Sequence, residues 1–149
     1  VRSSTRLSRS VISNPAALGA GGISWLLAQT FWVGGLWLLH FVMLPALAKL
    51  GLAPLLVEEV ANALTPLLIG LAAVCAALQV VVLVRAERIA SLWRDMRGQL
   101  LLCVLLMAAG YFAVRQWWPD ARPWLLFSYL VLAFCGLLLV LQPVPARRS

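Results

Sequence analysis

The sequence predicts an all-α fold, an integral membrane bundle of four helices, and three observations carry that expectation. Hydrophobic residues make up 63% of the chain and charged residues only 11%, whereas a soluble domain is nearer half apolar and a quarter charged. The apolar residues gather into four stretches of about 20, the length of helix that crosses a hydrocarbon core about 30 Å thick. The charges lie between those stretches: Glu58, Glu59, Glu87, Asp95 and Asp120, all the acids of the chain, fall in connections or at segment ends. With so little polar surface, lipid must be the solvent.

Residues 1–22 come first, rich in serine and arginine and closing on "GAGG". They read as a flexible basic tail with the composition of a transit peptide or of upstream sequence. The membrane domain follows over about 23–142, its spans expected near 23–47, 62–84, 99–118 and 123–141. "ALA" at 46–48 imitates a signal-peptide cleavage site, but the apolar stretch before it exceeds the roughly 7–15 residues of a signal core. The first span is therefore expected to stay intact. Arg115 falls in the last turn of the third, and its stem can snorkel to the head groups beside Trp117 and Trp118. Residues 143–149 form a short tail.

Orientation follows from the basic residues. Arg2, Arg6, Arg9, Arg85, Arg88, Arg94, Arg97, Arg147 and Arg148 share one side, and Lys49, Arg115 and Arg122 the other. The positive-inside rule puts the richer side, and both termini, in the cytoplasm of a bacterium, with the chain in its inner membrane. The net charge of +7 then reflects topology. No basic patch is interleaved with stacking aromatics, so nucleic acid is not an expected partner.

Helical projection puts one weakly polar stripe on each span. Gln29 and His40 share a stripe on the first, with Leu36 and Met43 flanking it and Gly34, Gly35 and Pro45 roughly opposite. Thr65, Cys75 and Gln79 share a side of the second, Gln99, Cys103 and Met107 a side of the third, and Ser128, Cys135 and Gln142 a side of the fourth. Hydrocarbon satisfies neither amides nor hydroxyls, so the stripes should point inward. Gly34 and Gly35 are expected at close helix contacts, and the cysteines are expected to act as small buried hydrophobes.

Chemistry is sparse. No carboxylate lies at mid-membrane, which removes the usual basis of a proton-coupled transporter. HExxH, GxSxG, P-loop and GxGxxG patterns are missing, and no catalytic residue is assigned. His40, the one histidine, either makes a structural hydrogen bond to a neighbouring helix or a water, or acts as a ligand. In the second case Met43, one turn on, would be the co-ligand, since a soft His/Met pair suits copper and a lone imidazole suits haem iron.

Trp32, Gly34, Gly35 and Pro45 within "FWVGGLWLLHFVMLPAL" carry a resemblance to the bacterial four-helix membrane proteins of the DUF-4149-type family, over roughly residues 23–142. That family is often grouped with CopD-type copper-resistance proteins and with HemJ-type protoporphyrinogen oxidases, which hold haem between helices. The resemblance implies the four-helix fold and, through the grouping, a copper or haem role for His40. Three roles follow as expectations. The first is a small non-enzymatic protein without a cofactor, packing against lipid, another membrane protein or its own copies. The second is a copper or haem handler, and the third a small channel or carrier.

A reporter active only outside the cytoplasm is expected to be dark when fused after Arg148 and bright when fused near Gly51. The reverse pattern would overturn the charge argument.

Overall fold

The computed structural model describes residues 19–143, which form six α-helices and one π-helical turn. The tail readings for residues 1–18 and 144–149, with Arg2, Arg6, Arg9, Arg147 and Arg148, lie outside the described residues. Helix α1 (Ala20–Leu38) runs through the π turn Leu39–Met43 into α2 (Leu44–Lys49) as one rod. Helix α3 (Pro54–Glu87), a short α4 (Ala90–Arg94), α5 (Met96–Trp117) and α6 (Arg122–Val140) follow. Four rods, Ala20–Lys49, Pro54–Glu87, Met96–Trp117 and Arg122–Val140, are long and apolar enough to cross a membrane. The fold is the all-α four-helix membrane bundle that composition predicts.

The spans begin and end where backbone chemistry allows, and this lengthens two of them. The first starts at Ala20, because nothing in "AGG" stops a helix that continues into apolar sequence. The second starts at Pro54, about two turns before its apolar run, because proline suits the first helical turn, where its missing N–H has no partner to lose. It ends at Glu87, and Arg88 takes a left-handed backbone (φ 75°) that no helix continues. Pro123 opens α6 in the same way as Pro54 opens α3.

Consecutive spans are neighbours, and the first also packs on the last, so the bundle closes on itself. The axis is filled by Trp25, Trp32, Leu36, Ile69, Leu83, Leu101, Val104 and Leu132, all essentially inaccessible. Phe31, Leu55, Leu78 and Leu106 cover the outside, as suits a surface solvated by lipid. The stripes of the first, second and fourth spans face inward, with Gln29, Gln79 and Ser128 buried and Thr65 and Gln142 half-buried. On the third Cys103 and Met107 are half-buried, but Gln99 is exposed at the helix start, where its amide donates to the Trp93 carbonyl.

One joint ties three spans together. The Trp32 indole N–H donates to Gln79 Oε1 at 3.0 Å, and the Gln79 amide donates to the Trp25 carbonyl at 3.3 Å. A fully buried amide is thereby satisfied by two turns of α1. The other side of the Trp32 ring lies over Gly136 of α6, where an added Cβ would come within 2.9 Å of the ring and 2.8 Å of Val33. Gly98 similarly admits the Leu92 backbone, so that α4 folds back against α5.

Gly34 and Gly35 do not both make the close helix contacts expected of them. Gly34 is exposed with open space around it, and only Gly35 approaches a neighbour, its added Cβ standing 3.3 Å from Leu68. Of the other motif residues, Trp32 is central to the core and Pro45 is exposed. The glycine that demands close contact is Gly136, on the last span.

Gly136→Ala is expected to cost about 1–3 kcal/mol, the usual penalty for overpacking against a rigid neighbour. Gly34→Leu should be nearly neutral. Unfolding in detergent at increasing denaturant measures both, and equal tolerance would remove Gly136 from the Trp32 contact.

Candidate functional site

Two breaks in helical regularity face one place. Pro45 has no N–H, and in a regular helix its ring would press on the carbonyl of Phe41. The first span widens just before it into the π turn, with the Leu44 N–H donating to Leu39 O, five residues back. Such turns are rare inside α-helices and are frequent at functional sites. On the neighbouring rod Pro66 sits within α3 and removes the N–H that would pair with the Asn62 carbonyl. Between these breaks lies a crevice of about 220 Å³.

All four spans contribute to its lining. The first supplies His40 and Leu44, α3 supplies Glu58, Asn62 and Thr65, α5 supplies Tyr111, and α6 supplies Arg122 and Tyr129. At the mouth Arg122 Nη1 meets Glu58 Oε1 at 2.5 Å. Both side chains are well exposed, so the pair adds little stability. It does link the start of α3 to the start of α6 across the opening.

Deeper in, the groups are aromatic and polar. The His40 ring lies 5.3 Å from that of Tyr129 and 5.5 Å from that of Phe41, centroid to centroid. The Tyr129 hydroxyl donates to the Leu36 carbonyl, one turn before the π turn, so α6 braces the first span where it widens. Tyr111 is only 4% exposed and lines the crevice, and its hydroxyl, which makes no hydrogen bond to the described residues, is not fully buried. His40 makes no hydrogen bond there either. It is packed between the rings of Tyr129 and Phe41.

The π turn also decides what stands beside His40. Projected on an uninterrupted helix, Met43 flanks the imidazole. In the structure Met43 is 43% exposed and Leu44 takes the place in the crevice. Among the lining residues His40 is the one imidazole or sulfur donor, and a haem macrocycle is far larger than the crevice. Among the described residues no three His, Cys, Asp or Glu side chains gather within reach of one metal ion.

Of the residues singled out by sequence, the crevice collects His40 and Thr65 only. Gln29, Gln79 and Ser128 lie elsewhere in the bundle, Ser128 donating to the Trp124 carbonyl at 2.9 Å on its own helix. Gln142 reaches Met96 Sδ at the other end. Sequence reasoning read Glu58 and Arg122 only as charges at segment ends and passed over Asn62, Tyr111 and Tyr129. One signal was available: a proline four residues after an asparagine inside an apolar run marks a carbonyl without its partner. The tyrosines carried no comparable mark. Compared with family models, curated proteins and solved structures, the chain matches none.

Tyr129→Phe is expected to cost about 0.6–1.7 kcal/mol, the range of interhelical hydrogen bonds in membranes. Tyr111→Phe should cost almost nothing, since its hydroxyl makes no hydrogen bond to the described residues. Equal losses on unfolding in detergent would mean that Tyr111 has a structural partner.

Proposed function

We propose that this is a non-enzymatic, multi-pass protein of the bacterial inner membrane, both termini cytoplasmic, that binds a small amphipathic guest. The guest sits in the crevice at the Glu58–Arg122 end, which the charge distribution assigns to the outer face. The exterior packs against lipid or a membrane partner, as in the DUF-4149-type proteins that the first span resembles. The carrying observation is the convergence of the π turn, Pro66 and the unpartnered Tyr111 hydroxyl on one crevice. A bundle built only to pack has no reason to collect polar groups and backbone breaks in one place, because each costs free energy in hydrocarbon.

Binding accounts for the geometry better than passage does. Below the crevice the axis is closed by Leu83, Leu101, Val104, Leu132 and Leu139, each with no accessible surface. A guest can therefore enter one end without a path to the other. Leu44, Leu125 and Leu126 offer it apolar walls, while Asn62, Thr65, Tyr111 and His40 offer hydrogen bonds to a polar head.

The test is extraction of the protein in mild detergent followed by mass spectrometry of the organic-soluble fraction. Wild type should carry a small molecule in stoichiometric amount, and Ala61→Trp, which fills the crevice, should lose it while melting at a similar temperature. Identical extracts from two stable proteins would defeat the proposal.

A further inference from the structure

Cys103 of α5 and Cys135 of α6 lie side by side, the Cys135 thiol donating to Cys103 Sγ at 3.7 Å. Neither is in a disulfide. At about 1.5 Å per residue, Cys103 stands about 10 Å from the start of its helix at Met96, and Cys135 about 8 Å from the end of its helix at Val140. The pair is thus inside the hydrocarbon, on the most extensively packed helix pair of the bundle. Cys135 is buried and Cys103 half-buried, so one sulfur can be approached first and the other can close behind it. The crevice does not include them, and this site is independent of the guest proposed above.

We propose that Cys103 and Cys135 form a two-coordinate site for a soft divalent ion of the mercury(II) type, reaching them through lipid as a neutral dihalide. Two S–H bonds and two Hg–Cl bonds break, two Hg–S bonds form, and two protons and two chlorides leave. No oxidation state changes, and no co-reactant is required. On the scale of the ~2.3 Å zinc–sulfur bond, a linear S–metal–S unit holds its sulfurs roughly 4.6 Å apart. The thiols need to open only about 1 Å from their present separation, within reach of small rotations about their Cα–Cβ bonds.

Charge and coordination number select the ion. Two thiolates on a divalent ion give a neutral product, which hydrocarbon accepts. The same thiolates on a monovalent soft ion leave a buried net negative charge, which hydrocarbon penalises. Zinc prefers four ligands, and among the described residues no third or fourth His, Cys, Asp or Glu joins the pair.

The test loads the purified full chain with one equivalent of mercury(II) chloride, then challenges it with excess glutathione. Intact-mass measurement and the near-ultraviolet mercury–thiolate band report what is retained. Wild type and Cys75→Ser should hold one ion, whereas Cys103→Ala and Cys135→Ala should hold it on the order of 10²-fold more weakly, because the second thiol then no longer acts at high effective concentration. Melting temperatures of the metal-free proteins show that the variants are folded; should either alanine variant unfold, the corresponding Cys→Ser variant replaces it. Retention that depends on Cys75, or wild-type loss to glutathione as fast as in the Cys103→Ala and Cys135→Ala variants, would overturn the site.

Discussion

The bundle depends on one constraint, that an amide buried in a hydrocarbon-facing fold must find all its partners within the protein. Gln79 is that amide. Its oxygen takes the Trp32 indole N–H and its nitrogen gives to the Trp25 carbonyl, which sets the rotation and height of α3 against α1. Trp32 then passes the restraint to α6, since its ring occupies the space that the missing side chain of Gly136 leaves open. Lipid-facing leucines cannot set such a register, because they pack as well against acyl chains as against each other. A polar clamp and a glycine cradle do.

The same economy is relaxed at the other end of the bundle. There the π turn ahead of Pro45 and the proline within α3 loosen two adjacent rods, and the space between them is lined with hydrogen-bonding groups. Tyr129 limits the loosening by donating to the Leu36 carbonyl, and the Glu58–Arg122 pair bridges the rim. One end of the molecule is closed around a satisfied polar joint, and the other opens into a crevice lined with polar and aromatic groups. This asymmetry fits a binding protein.

The loop between α3 and α5 shows how membrane-facing and water-facing demands meet. Arg97 joins Glu87 at 3.2 Å and donates to the Pro143 carbonyl at 3.0 Å, tying the end of α3 to the end of α6 through the start of α5. Trp93 and Ile89 project outward nearby, where indole and aliphatic groups suit the head-group boundary. Gly98 allows the short α4 to lie close enough for this arrangement.

Sequence by itself determined the class of the protein, the number of spans and which stripe of the first, second and fourth faces inward. Those follow from composition and helical period, and neither depends on a partner helix. Gln79 and Gln29 were legible as inward residues for that reason, and Trp32 as part of a motif. The candidate site was legible only in His40 and Thr65. Met43 was misplaced because a straight projection cannot anticipate a π turn, which re-phases every side chain after it. Gly136 and Gly98 could not be told from Gly34, because a glycine's role is set by what stands opposite, and only the packed structure supplies the opposite helix. The convergence of Asn62, Tyr111, Arg122 and Tyr129 was likewise decided in three dimensions: contacts between distant segments depend on crossing angle and register, which the Gln79–Trp32–Gly136 joint sets and no single helix encodes.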